Sequence, residues 1–452
     1  MSHVPANRAI SPGRSDLPEL PLIQKRDRIL VLAPHEDDET LGAGGIIQQA
    51  VAAGASIRIV YLTYGDHNEL AFLLYRKRPW SNAKTNEIMG EIRRREAIKA
   101  MAYLGVPTSQ LIFLGYPDGG TLNIWKKHWG NAPPLRSAAT HTEQVPYPDA
   151  FSYQKAHKGE EIVADIERQL LEFRPTHIFV TQPVDGHPDH RAFYLFLQVA
   201  LLNIEKKLPL PQVLAYPIHI GTWPYPHSYR PESWLPFPKP LTDTNTWYTS
   251  ELSSEQVKRK YEAILLYKSQ TADSLSWLSA FARRNELFAV LSPVQLQQQA
   301  WSSIYRTVAR PETPAYEKPV PTGHVETVAY RESSNDLLIR ITLRQPIERE
   351  LGLSAYVFGY RYDQSFTAMP KIRIEWVLGR VYATDSDDKV FLKELTVKTE
   401  GSEITIMIPW EILGQPETIF AQIQGLVGGI PISQTGWQVL SRETRTEAAD
   451  SK

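Results

Sequence analysis

The sequence predicts two successive architectures: a Rossmann-like, mostly parallel α/β sheet with helices on both faces, then an antiparallel β-sandwich. Three patterns carry this prediction. From Ile29 onward, apolar strand runs alternate with helix-like stretches, which is how a parallel sheet with crossover helices is written. Beyond residue 323 the apolar period becomes two, that of half-buried antiparallel strands. Between them, ARPETPAYEKPVPTG reads as a Pro-rich, semi-extended linker. The expected division is a tail at 1–27, an α/β domain at 28–308, the linker at 309–322, the sandwich at 323–445 and a short tail at 446–452.

Residues 1–27 carry Pro5, Pro12, Pro18 and Pro21 without an apolar period and read as a tail on the body, with no chemistry expected. ILVLAP is the first strand; a Gly-bearing loop, the helical IIQQAVAAG and the strand IRIVYLT complete a βαβ unit. A polar, aromatic loop leads to a helix ending RRREAIKAMAYLG and then to the strand LIFLGY. From Pro117 to Gly159 no period is evident. Trp125, Trp129, Tyr147 and Tyr153 there suit either a lid or sugar-stacking wall, or an anchor for a long loop. A helix around EEIVADIERQLLEF precedes the strand HIFVTQP, and a further helix precedes VLAYPIH. Helical runs at Glu255 to Ser269 and Gln295 to Arg306 close the domain. Next come the alternating sets Leu337/Ile339/Ile341/Leu343, Ile372/Ile374/Trp376 and Ile404/Ile406/Ile408. Alternation makes Trp376 core; Trp410 and Trp437 fit either core or a binding platform.

The chain of 452 residues balances 49 Lys plus Arg against 50 Asp plus Glu, and its net charge of −1 supplies no basic field for nucleic acid, which is not expected as a partner. With no Cys, disulfides, thiol nucleophiles and thiolate metal ligands are excluded, so a metal site must come from His and carboxylates. No apolar run approaches the roughly 18–20 residues of a membrane span, and the first 28 residues lack a signal-peptide core. A cytoplasmic protein without a transmembrane segment is the expectation.

The chemistry concentrates in two loops. PHEDDETLGAGG sets His35, Glu36, Asp37, Asp38 and Glu39 directly after the first strand, at the carboxyl edge of an open parallel sheet where ligands bind. DGHPDHR follows the strand HIFVTQP and lies at the same edge; Pro188 suits a first helical turn, putting His187 and His190 at its entrance. A catalytic zinc site usually has three protein ligands and an open position, and His35, Asp38 and His190 fill that set. Asp37 and His187 then remain as general base and as general acid or oxyanion partner. This is a hydrolase layout, because water on such a metal has its pKa lowered to about 7. A dinucleotide loop is not expected, since G-x-G-x-x-G is absent from the first turn.

PHEDDE and GHPDH resemble the signature motifs of the PIG-L/LmbE-like metal-dependent N-deacetylases. LTYGD, RRREAIKAMAYLGV, LGYPDGG and YKSQ follow in matching order, so the resemblance spans about residues 28–275. It implies Zn2+, with Fe2+ or another divalent ion as an alternative, on His35, Asp38 and His190. Asp37 matches the general base and His187 the imidazole that stabilises the transition state, while Arg93 and Asp118 match substrate-contacting positions. The family commonly has Pro where this chain has Glu36, which adds a charge near the site. The implied reaction releases acetate from an N-acetylglucosaminyl group, and the implied partner is an N-acetylated sugar or glycoconjugate whose carrier varies across the family.

Plainer readings stand beside these. The acidic loop would favour a helix N-terminus in any case. Arg93 and Glu96 fit an exposed i, i+3 pair, and Asp118 fits turn chemistry in YPDGG. Glu39, Asp189, Tyr216 and His219 are expected around the ligands or at the rim, with His67 and Trp80 in a loop near the same rim. The rival function is a non-catalytic carbohydrate-binding protein whose metal is structural or bridges a ligand. A structural zinc normally has four protein ligands and no poised base, so Asp37 and His187 argue against it. The sandwich resembles carbohydrate-binding modules at the level of fold alone.

Overall fold

The computed structural model describes residues 17–67, 82–238, 241, 246–306, 308–309, 324–347, 351–377, 379–386, 388–389, 395–427 and 429–442. Contacts divide the chain into two units, Met1–Trp125 with Pro133–Leu291, and Lys126–Ala132 with Ser292–Lys452.

The first unit is built on one sheet. Strands β1 (Arg28–Ala33), β2 (Ser56–Thr63), β3 (Leu111–Tyr116), β4 (His177–Thr181) and β5 (Gln212–Tyr216) are parallel. β6 (Thr246–Glu251) and β7 (Asn285–Val290) add an antiparallel edge, giving the order β3-β2-β1-β4-β5-β7-β6. The continuous apolar runs of β1 and β4 are what burial on both faces requires. The helices are α1 (Asp38–Ala53), α2 (Ala83–Leu104), α3 (Thr121–Lys127), α4 (Gly159–Phe173), α5 (Pro188–Ile204), α6 (Ser254–Ile264) and α7 (Lys268–Ser279). α1 packs with α2 and α6, and α4 packs with α5. Because the chain leaves β1 toward β2 on one side and later returns as β4 on the other, the β1/β4 seam is a topological switch point. Both chemical loops leave the sheet there. Among the described residues, no helix is long and apolar enough to cross a membrane.

Several expectations are corrected. Gln295 to Arg306 is not a helix: β8 (Val294–Gln295) and β9 (Ser302–Arg306) are strands, and β9 is held by antiparallel pairing with the segment from Thr327 to Tyr330. The Gln-rich stretch suggested helix, and tertiary pairing overrode that weak preference. The contact boundary accordingly falls after Leu291, earlier than 308. The helix expected at Glu255 to Ser269 is two helices, α6 and α7. In the 117–159 region Trp125, Trp129 and Tyr147 are buried and only Tyr153 is exposed, so most of these rings are anchors, not a stacking wall. Tyr147 stacks on Tyr64 with centroids 3.9 Å apart, and its hydroxyl donates to Asp66. The end of the expected tail is also tied down: Thr249 N donates to Pro18 O at 3.0 Å and Leu20 N to Thr249 O at 2.7 Å. Trp80, the linker beyond Ala309 and residues 446–452 lie outside the described residues.

Among the described residues, the second unit consists of antiparallel sheets with one parallel pairing, between β8 and the strand Gln438–Ser441. One sheet is centred on the strands Leu351–Tyr360, Lys371–Val377 and Thr418–Val427, and the other on Val325–Glu332, Asp336–Leu343 and Glu403–Pro409. A single cluster of buried side chains draws from both, including Val357, Ile372 and Ile423 from one and Ile339, Ile341 and Ile406 from the other. Trp376, Trp410 and Trp437 are all buried. The segment Lys126–Ala132 belongs here too, with Trp129 edge-on to Phe366 at 4.9 Å.

Candidate metal centre and pocket

The loop after β1 turns sharply into α1. Asp37 is its N-cap, with φ 144°, a backbone region that costs an L residue strain and is commonly found where function demands it. That turn sets Asp38 one residue inside the helix, facing back to His35. Across the seam, His187 caps α5, Pro188 occupies its first turn, and His190 is one position further in than Asp189. The result is a near-equilateral triangle of donor atoms. His35 Nδ1 lies 3.2 Å from Asp38 Oδ2, His190 Nε2 lies 3.1 Å from the same oxygen, and the two nitrogens are 3.3 Å apart. An ion bound tetrahedrally at about 2.0–2.1 Å spaces neighbouring ligand atoms by roughly 3.3 Å, so this donor set fits a divalent metal. His187 and His219 also stand close enough to enter alternative donor groups.

Each imidazole is oriented through its other nitrogen. His35 Nε2 is 3.2 Å from both Asp118 Oδ1 and Asp189 Oδ2, and His190 Nδ1 is 3.2 Å from Asp185 Oδ2. Carboxylates behind ligating histidines fix ring orientation and raise ligand basicity. Asp189 is itself held, accepting from Gly119 N at 2.6 Å and Thr121 N at 3.0 Å.

Burial opposes charge on every one of these groups, and their neighbours overrule it. Against desolvation, Asp118 with Asp189 and Asp38 pushes the His35 pKa well above its ordinary value, and Asp185 with Asp38 pushes His190 up to about 9. Desolvation would raise Asp38, yet His190 and His35 hold it well below the usual carboxylate range. Such a surplus of carboxylate around two rings is the field that a cation requires. Burial lifts the neighbouring Asp37 to about 7, with Arg93 opposing the rise and Asp38 and Glu39 adding to it. His187 is pushed down to about 3 by burial and then by His35, and is therefore neutral. Its Nδ1 accepts from Asp189 N at 3.3 Å, which leaves the ring proton on Nε2.

A cavity of about 280 Å³ opens beside the triangle, lined by His35, Asp37, Asp38, Arg93, Asp118 and His187 among others. Arg93 is buried, and the exposed helical pair with Glu96 is not formed. Its Nη2 donates to Glu36 O at 3.1 Å, its Nε is 3.4 Å from Glu36 Oε2, and Glu96 accepts instead from Ser269 N and Oγ. Glu36 is fully buried beside the Arg93 guanidinium, and burial lifts its carboxyl well above the usual range although Arg93 opposes the rise. His67 and His219 line the cavity, and His67 N donates to Asp118 Oδ2 at 2.9 Å. Glu39 and Tyr216 do not reach it. Glu39 accepts from Tyr267 Oη and from Asp37 N behind the turn. Tyr216 is a core residue whose hydroxyl donates to Leu32 O at 2.8 Å and whose ring packs where a Cβ on Gly42 would stand, 2.1 Å from Cδ2.

Three contributors were missed. Asp185 stands in the DGHPDHR stretch but declares itself only through its distance to His190. Gln270 stands in YKSQ. Trp277, which stacks on His219 with centroids 5.0 Å apart and lines the cavity, sits on a helix with no distinguishing signal.

Sheet and site together define an α/β protein with a candidate metal pocket at the carboxyl edge of its switch point. Residues 30–201 match the PIG-L family, described as GlcNAc-PI de-N-acetylase, and the chain carries a domain of that family. It is 33% identical over 185 residues to the 1D-myo-inositol 2-acetamido-2-deoxy-alpha-D-glucopyranoside deacetylase of Mycobacterium sp. (strain KMS), covering 40% of this chain and 52% of the relative. The corresponding deacetylase 1 of Saccharopolyspora erythraea is 34% identical over 170 residues, covering 36% and 50%. The chain thus spans about half the length of the curated relatives it matches. Among solved structures, N,N'-diacetylchitobiose deacetylase from Pyrococcus horikoshii aligns over 58% of this chain and 82% of its own, at 18% identity and a TM-score of 0.36, too slight to bear on function.

Proposed function

We propose that this chain is a divalent-metal-dependent N-deacetylase that hydrolyses the acetamide of an N-acetylglucosaminyl-type sugar or glycoconjugate to amine and acetate. The observation that carries the reading is the triangle of His35 Nδ1, Asp38 Oδ2 and His190 Nε2, with edges of 3.1–3.3 Å, opening on a cavity that also holds Asp37 and His187. Those three residues would hold Zn2+, or Fe2+ or another divalent ion, the choice resting on geometry and availability. When bound, such an ion acidifies water and polarises a carbonyl. Asp37, beside the triangle but outside it, takes the proton of the attacking water. His187 presents Nε2–H to the oxygen on which negative charge collects. The proton for the leaving amine comes from Asp37 or His187. Arg93, pinned by Glu36, and Asp118 orient the sugar. A cavity of about 280 Å³ lies just below the roughly 300–1,000 Å³ usual for ligand pockets, which suits one N-acetylated ring with its carrier outside.

For the second unit we propose a face-to-face β-sandwich, supported by the one apolar cluster that both sheets share. Trp376, Trp410 and Trp437 are core, so a carbohydrate-binding role there would draw on exposed rings such as Tyr362 and Tyr382.

The test is acetate release from a panel of N-acetylglucosamine compounds, from glycosides to chito-oligomers, by metal-reconstituted protein. Release is expected, with Asp37→Asn keeping its metal and losing about 100- to 10,000-fold in turnover. No release from any compound with metal bound stoichiometrically would sink the proposal and return the reading to a carbohydrate-binding protein.

A further inference from the structure

Helix α1, whose first turn carries Asp38, is broken. Ala43 leaves helical backbone at φ −137°, ψ 17°, between the turn beginning at Asp38 and the remainder of the helix. In a regular helix Gly45 N would donate to Leu41 O, its i−4 partner. Here the two are separated by a buried ion pair. Lys260 Nζ, from α6, donates to Leu41 O at 2.8 Å; Glu286, from β7, accepts from Gly45 N at 2.7 Å and Ile46 N at 3.1 Å; and the pair closes on itself at 2.6 Å. Both side chains are buried. The glycines of TLGAGG make the room: a Cβ on Gly44 would stand 3.3 Å from Lys260 Cγ, and one on Gly45 would stand 3.0 Å from Glu286 Oε2 and 2.2 Å from Leu252 Cδ2.

Neither Lys260 nor Glu286 lines the cavity, so the proposed chemistry gives them no part. Stability is a weak reason to keep them, because removing two charges from water offsets most of their attraction and a well-packed apolar pair often serves as well. Their geometry supplies a better one. A lysine on the freed carbonyl and a carboxylate on the freed amides hold a helical hydrogen bond open at one place, which fixes the direction in which the first turn leaves the rest of α1.

We propose that Lys260 and Glu286 are positioning residues that keep α1 broken at Ala43 and thereby place Asp37 and Asp38 against His35 and His190. This inference rests on the metal-centre reading above. Without the pair, Leu41 O and Gly45 N have each other as the nearest way to be satisfied; the helix closes, and its first turn swings off the imidazoles.

The test compares wild type with the double variant Lys260→Met/Glu286→Leu. Three readouts are taken: melting temperature, the carbonyl and Cα chemical shifts of Ala43 in metal-free protein, and Zn2+ affinity by chelator competition. The variant is expected to melt near wild type, to move Ala43 to helical shifts, and to bind Zn2+ about 10- to 100-fold more weakly, the range seen when supports of metal ligands are lost. A merely structural pair would leave Zn2+ affinity where it was. Unchanged Ala43 shifts, or wild-type Zn2+ affinity in the folded variant, would overturn the inference. Should the double variant fail to fold, Lys260→Arg, which keeps the charge but displaces the donor from Leu41 O, is held to the same two readouts. A wild-type protein that binds no Zn2+ would count against the metal centre itself, and the Ala43 shifts would still judge the pair.

Discussion

His35 and His190 reach the same carboxylate from unlike supports. His190 stands in the first turn of a regular helix entered through Pro188, and one carboxylate, Asp185, faces its Nδ1 at 3.2 Å. His35 stands in a loop that runs into a strained Asp37 and a broken helix, and two carboxylates, Asp118 and Asp189, face its Nε2. Regular backbone already fixes where a side chain starts, so one tie completes the placement. An irregular segment leaves more freedom to remove, and here it receives more ties.

Removing what the two halves share should have the largest effect. Asp38→Ala leaves two imidazoles without their common carboxylate, and stoichiometric metal is expected to be lost on dialysis, as read by elemental analysis; metal retained at one per chain would show that His187 or His219 completes another donor set. The unlike supports predict unequal costs one step down. Asp185→Asn, which takes from behind His190 the one carboxylate that faces its Nδ1 among the described residues, should weaken Zn2+ binding by about 10- to 100-fold in chelator competition. Asp118→Asn should cost less than Asp185→Asn, because Asp189 remains on His35. Equal losses, or the reverse order, would break the comparison.

The parts of this arrangement visible in the sequence are those that depend on strand ends. β1 and β4 are written as unbroken apolar runs, so His35, Asp37, Asp38, His187 and His190 could be placed at one edge from their position just beyond those runs. Of the surrounding side chains, Asp118 and Asp189 stood in legible motifs, whereas Asp185 and Trp277 acquire a role only through distances across the fold. Nothing in the sequence singles out Lys260 and Glu286, which are buried beside the break in α1. At Gln295 to Arg306 local composition suggested helix while partners remote in sequence imposed strand, a conflict that no local pattern records.

The short stretch from Pro18 to Leu20 has a consequence of another kind. β6 is the outermost strand of its sheet, and an outermost strand offers unpaired amides and carbonyls to any other chain. Pro18 O, Leu20 N and the Glu19 carboxylate occupy such groups on Thr249 and Glu251. These residues cover part of that edge. Trimming the chain to start at residue 28 would uncover that edge, and light scattering on the trimmed protein should show concentration-dependent oligomers that the full chain does not form.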